Sequence, residues 1–87
     1  MSIRKVHGKF NIVSKNIRKY RLQNNWSQEK LALKLNLLGL PFTKNDIQRI
    51  EVNRRIVRDF ELIFLAEVFD ISISELLSIT TSKLNIT

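Results

Sequence analysis

The stretch Trp26-Ser27-Gln28-Glu29-Lys30-Leu31-Ala32, read with Thr43-Lys44-Asn45-Asp46-Ile47-Gln48-Arg49-Ile50-Glu51, decides how this chain is organised. Each half is a helical pattern opened by a hydroxyl residue. Ser27 is placed to accept a hydrogen bond from a first-turn backbone N–H, which has no partner inside the helix. Thr43 is placed likewise, and Asp46, three residues on, makes a near capping box. Basic and amide side chains gather on the second segment. A capped helix N-terminus suits a phosphate, so the pair suggests a helix-turn-helix whose second helix enters a DNA major groove.

Upstream, a first helix is expected from about Val13 to Gln23, with Val13, Ile17, Tyr20 and Arg21 at helical spacing. Asn24-Asn25 ends it as a turn. Trp26 then precedes the Ser27 cap, where an apolar residue can staple against the following turn. The second helix runs from Gln28 to Leu37 or Leu38, with Leu31, Ala32, Leu35 and Leu38 on one face. Gly39 stops it, since glycine takes the left-handed position after a helix without steric cost. Pro41 keeps Leu40-Pro41-Phe42 out of helix. The third helix runs from Lys44 to about Val52, with Ile47 and Ile50 inward and Asn53 closing it in the left-handed region.

A basic connector, Arg54 to Arg58, leads to an unusually apolar fourth helix from Arg58 or Asp59 to Phe69. Ser72 and Glu75 form a capping box for a short fifth helix ending near Ile79. No strand and no internal repeat is expected. The domain spans 11–79, preceded by a basic arm (1–10) and followed by a polar tail (80–87). The expected core is Trp26, Leu31, Leu35, Ile47, Ile50, Leu62, Leu65, Phe69, Ile71 and Leu76.

Eighty-seven residues make one small domain whose core is marginal but sufficient without staples. There is no cysteine and one histidine, His7, so a disulfide framework, a thiolate zinc site and a histidine cluster are excluded. His7 is a spectator. No apolar run reaches transmembrane length and no secretory signal is apparent, so a cytoplasmic protein without membrane partners is expected. Paired inward carboxylates, a Ser/His/Asp set and a Gly-rich phosphate loop are all missing, so neither catalysis nor a cofactor is expected.

The net charge of +7 is unevenly spread. Residues 1–58 hold 14 of the 15 Lys/Arg and 3 of the 8 Asp/Glu, a net of +11, leaving −4 for residues 59–87. Such a split suggests one face for a polyanion and another kept away from it. The bland alternative is a solvated charge distribution.

These residues resemble the helix-turn-helix family of phage repressors and Cro, the XRE type, over about Asn16 to Leu77. The matching pieces occur in order. Arg21 stands in helix one and Ser27-Gln28-Glu29-Lys30-Leu31-Ala32 opens helix two. Ile47-Gln48-Arg49-Ile50-Glu51 ends helix three, followed by Asn53-Arg54-Arg55 and then Ala66–Leu77. The resemblance implies an all-α, five-helix, repressor-like DNA-binding domain, with double-stranded DNA as partner. One departure is plain: from Ala32 to Ile47 the chain is longer than the compact phage form. Lys34-Leu35-Asn36-Leu37-Leu38-Gly39-Leu40 resembles a long-turn branch of the family, with Leu37, Leu40 and Phe42 expected to plug the added space.

The resemblance also implies roles. Arg21 and Glu51 pair to tie helix one to the end of helix three; a buried arginine without a partner would be costly. Gln28 bonds a phosphate and braces the recognition helix. Lys44, Asn45 and Arg49 are candidates for base edges, with Gln48 further round, although any of them could hold phosphate instead. Arg54, Arg55 and Arg58 would hold the backbone flanking the groove, joined by Ser27, Thr43, Arg18 or Lys15, and the arm residues Arg4, Lys5 and Lys9. Asp46 caps Thr43 rather than reading cytosine.

Phe60, Phe64 and Val68 form a second apolar stripe on helix four. Either the enlarged turn buries it, or it is a homodimer surface; the second is adopted, because exposed apolar patches usually mark contacts. The expected function is a sequence-specific transcriptional regulator, most simply a repressor acting by occupancy. Its rivals are an antitoxin-like or partner-dependent regulator that docks a protein through helix four, and a protein-interaction module whose basic face meets an acidic partner.

Overall fold

The computed structural model describes residues 13–78. The arm (1–10) with Arg4, Lys5, His7 and Lys9, and the tail (80–87), lie outside the described residues. Five helices follow one another: α1 (Ser14–Gln23), α2 (Gln28–Leu38), α3 (Lys44–Glu51), α4 (Asp59–Phe69) and α5 (Ile73–Leu76). The described chain is all-helical, as a repressor-like domain requires.

Their starts follow from local chemistry. Ser27 Oγ accepts from the Lys30 N–H at 3.0 Å. Thr43 and Asp46 form a complete capping box, as do Ser72 and Glu75. The first four helices all stop the same way, on a residue with positive φ: Asn25 (59°), Gly39 (110°), Asn53 (65°) and Asp70 (57°). In each case the next N–H reaches five residues back, from Trp26 to Arg21, Leu40 to Leu35, Arg54 to Arg49 and Ile71 to Ala66, over 2.7–3.0 Å. That closure satisfies carbonyls the helix leaves open and turns the chain sharply. Asp70 joins the group unannounced, because aspartate is only occasionally left-handed.

Ile17, Leu31, Leu35, Ile47, Ile50, Leu65 and Leu76, drawn from all five helices, are fully buried. Full burial of a side chain of this size contributes roughly 1.5–3 kcal/mol. Trp26, Leu62 and Ile71 pack on this core while partly exposed. The Trp26 ring stacks on Phe69 at 5.8 Å between centroids, with Tyr20 5.7 Å away on the same ring. Asn16 donates to the carbonyls of Leu76 and Ser78 at 2.8 and 2.7 Å, fastening α5 to α1.

The long turn is built rather than loose. Leu40 and Phe42 are buried, and Asn36 Nδ2 donates to the carbonyls of Ala32 and Phe42, both at 2.7 Å. Leu37 does not plug the space: it is 82% exposed, and Leu38 also lies outside the core. Gly39 turns the chain away just after them, so only the residues beyond the turn point inward.

α4 buries Leu65, Ala66 and Phe69 together with the carboxylate-bearing Glu61. The stripe expected as a free surface is divided. Phe64 and Val68 are partly buried against the core, whereas Phe60 is exposed beside Ile63. Phe64 leans over the turn, with its Cε1 3.8 Å from where a Cβ on Gly39 would lie. The enlarged turn therefore covers part of the stripe.

Candidate nucleic-acid interface

α3 is strongly two-sided. Ile47 and Ile50 are buried, while Lys44, Asn45, Gln48 and Arg49 are all exposed. With 3.6 residues per turn, Asn45, Gln48 and Arg49 lie opposite the two isoleucines, and Lys44 flanks them. Asn45 thus marks the centre of the exposed face, and Gln48 lies as close to it as Arg49 does, rather than further round.

The start of the helix is electrostatically settled. Asp46 Oδ2 accepts from the Thr43 N–H at 2.8 Å and from its hydroxyl at 3.0 Å, while the Asp46 N–H donates back to Thr43 Oγ1 at 3.2 Å. Partial burial pushes the Asp46 carboxyl up, but the two Thr43 bonds and the charges of Arg55 and Arg49 outweigh it and hold it below the usual aspartate value. The Thr43 hydroxyl proton is committed to Asp46, which leaves this residue poorly suited to a phosphate. Ser27 differs: its cap uses an acceptor lone pair, and the hydroxyl can still donate.

At the other end, Arg21 Nε and Nη2 donate to the two Glu51 oxygens at 2.7 and 3.0 Å, and Nη1 donates to the Trp26 carbonyl at 2.8 Å. Both side chains are nearly closed off, at 10% and 3% exposure. Gln28 Nε2 adds a bond to Glu51 Oε1 at 3.1 Å. Gln28 therefore braces the end of α3 from the first turn of α2, with its second Nε2–H and its amide oxygen left for other partners.

The basic connector splits in two. Arg54 and Arg58 are exposed, as are Lys15 and Arg18 on α1. Arg55 is placed elsewhere from the expected phosphate clamp. Its guanidinium forks onto Glu61, Nη1 to Oε1 at 3.0 Å and Nη2 to Oε2 at 2.9 Å. It also lies 4.7 Å from the centre of the Phe42 ring and 3.8 Å from Asp46 Oδ1. Glu61 further accepts from the Arg58 N–H at 2.8 Å, opening α4. Burial raises the Glu61 carboxyl, yet the Arg55 fork, the Arg58 N–H and both positive charges leave it lowered overall. The same fork raises Arg55, over the opposing effect of its own burial. Sequence reading missed this cluster because an acid six residues after an arginine, on the next helix, has no short-range signature.

Among the described residues, no group of three or more His, Cys, Asp or Glu could hold a metal ion, and no helix is long and apolar enough to cross a membrane. Two capped helices joined by an ordered long turn, the second bearing an exposed polar face and flanked by arginines, define a helix-turn-helix DNA-binding domain. A protein-family model described as helix-turn-helix matches residues 17–76, most of the chain. The chain belongs to this XRE-type, Cro/C1-like family of DNA-binding transcription regulators. Comparison with curated proteins and with solved structures gives no match.

Proposed function

We propose that the protein regulates transcription, as a repressor, by occupying a specific duplex site with α3 in the major groove. The observation carrying this reading is the exposed face of α3, where Asn45, Gln48 and Arg49 stand opposite a buried Ile47–Ile50 edge. Arginine and lysine suit the guanine acceptors, and asparagine or glutamine suits adenine. Arg49, Asn45, Gln48 and Lys44 are assigned to bases. Ser27, Arg54, Arg58 and Arg18 are assigned to phosphates, which give affinity and salt dependence without sequence information. Gln28 steadies α3 and offers its second Nε2–H to a phosphate of the DNA backbone. The arm, where Arg4, Lys5 and Lys9 lie, adds phosphate contacts. The setting is the cytoplasm.

A homodimer on a two-fold site accompanies this reading. Its surface is supported at Phe60 and Ile63, 49% and 55% exposed, rather than at Phe64 and Val68. The same two residues favour the second reading, a partner-dependent regulator in which another protein covers α4.

Selection of bound duplexes from a random pool, followed by mobility-shift titration at two salt concentrations, tests the proposal. A consensus site bound with steep salt dependence is expected; no duplex binding at low salt refutes it. Against that site, Arg49→Ala is expected to relax preference at one base position, a loss of about 1–3 kcal/mol. Arg54→Ala is expected to weaken all duplexes alike and to lower the salt slope by about 0.9.

A further inference from the structure

The four residues Phe42, Asp46, Arg55 and Glu61 come from four separate places: the long turn, the first turn of α3, the connector and the first turn of α4. One guanidinium touches the other three. We propose that Arg55 is the positioning residue that sets the N-terminal end of α3, and with it the specificity of the base-reading face. The assignment of specificity rests on the DNA-binding function above; the bracing itself does not.

A planar guanidinium can do this where an ammonium cannot. Its fork matches the Glu61 carboxylate edge to edge, while its central carbon stands 4.7 Å over the centre of the Phe42 ring. Glu61 is in turn fixed by the Arg58 N–H, and its side chain is only 3% exposed. The plate is therefore held from α4. The Asn36 bond holds the Phe42 carbonyl from α2, and Arg55 holds its ring. Thr43, the cap of α3, follows Phe42 directly. A guanidinium fixed by α4 thus joins Asn36 in setting where the turn delivers the cap, and Asp46, which shares that cap, feels the same positive charge. A longer turn gives the start of α3 more freedom, and Arg55 removes it. A base-reading side chain displaced by about 1 Å loses much of its discrimination.

The test uses the full chain, first without DNA. Amide hydrogen exchange by two-dimensional NMR compares wild type with Glu61→Gln, and with Phe42→Leu, which removes the ring face but no charge. Exchange about tenfold faster or more is expected at Asp46, Ile47 and Gln48, with Val52 and Asn53 nearly unchanged. Equal acceleration at both ends, or none at either, overturns the proposal; if Glu61→Gln does not fold, Phe42→Leu is judged by the same criterion.

The second measurement uses the selected duplex and a scrambled one. Arg55→Lys keeps the charge but loses fork and plate. Arg55→Lys and Glu61→Gln are each expected to lower the ratio of specific to non-specific affinity about tenfold or more, with the salt slope on scrambled duplex unchanged. If Arg55 instead holds a phosphate, Arg55→Lys preserves the ratio and Glu61→Gln costs nothing, and the assignment fails. A wild-type chain that binds no duplex refutes the proposed function, while the exchange experiment still decides whether Arg55 braces α3.

Discussion

The two ends of α3 are both held by arginine against carboxylate, but the arrangements differ in kind. At the C-terminal end the carboxylate belongs to α3 itself: Glu51 takes Arg21 from α1 and Gln28 from α2. At the N-terminal end neither member of the pair does: Arg55 and Glu61 meet outside α3 and act through Phe42 and Asp46. The first arrangement joins three helices through one buried group. The second lies where a chain segment enters the helix, and is the one proposed to position it. Damage at the first end should therefore spread through the fold, whereas damage at the second should stay local and appear in recognition.

The largest effect is expected from Glu51→Ala, which strands Arg21 at 10% exposure. Removing one partner of a buried pair costs about 3–5 kcal/mol, read as a lower urea midpoint at constant slope. A loss below that of Glu61→Gln would break the contrast. For Glu61→Gln, where one hydrogen bond to Arg55 can survive, about 1–2 kcal/mol is expected by the same titration.

Acid offers a sharper cut. Glu61 and Asp46 are both lowered in the folded chain, so each contributes stability that is fully present above its ordinary value, 4.5 and 3.8 respectively. That contribution is lost as pH falls through the lowered folded value. Stability should therefore decline as pH drops below about 4.5, and Glu61→Gln should have a shallower acid limb than wild type. Parallel acid limbs would detach Glu61 from the effect.

Gly39→Ala probes the turn that feeds the N-terminal end. Space is available, since Phe64 is at ordinary contact distance, but φ of 110° disfavours any side chain. A loss on the order of 1 kcal/mol in thermal or urea unfolding is expected. The smallest effect on stability is expected from Phe60→Lys, within about 0.5 kcal/mol, because the ring is half exposed. It should instead lower the mass seen by sedimentation if α4 is the dimer surface; an unchanged dimer would move that surface elsewhere.

Much of this architecture was legible in advance. The caps at Ser27, Thr43 and Ser72, and the left-handed stops at Gly39 and Asn53, are decided by neighbours within a few residues, where side-chain type and backbone preference settle the outcome. The order of motif residues then placed Arg21 opposite Glu51. The errors share a cause. Leu37 faces outward and Phe64 inward, against expectation, because periodicity reports a face but not what covers it. The Arg55–Glu61 fork is unmarked in the sequence because charge in a loop reports a sign but not a partner.

The sequence alone determined the five helices, the caps that open α2, α3 and α5, the two-sided character of α3 and the basic cast of the first 58 residues. Each follows from local hydrogen bonding, spacing or charge. Helix α5 stops at Leu76, short of the expected end near Ile79, and the Asp70 stop was not marked. Only the tertiary structure decided which arginine braces and which remain exposed, where the long turn is pinned, and which part of α4 stays uncovered. Those outcomes depend on residues far apart in the chain competing for the same buried space and the same carboxylates, and that competition exists only once the helices have packed.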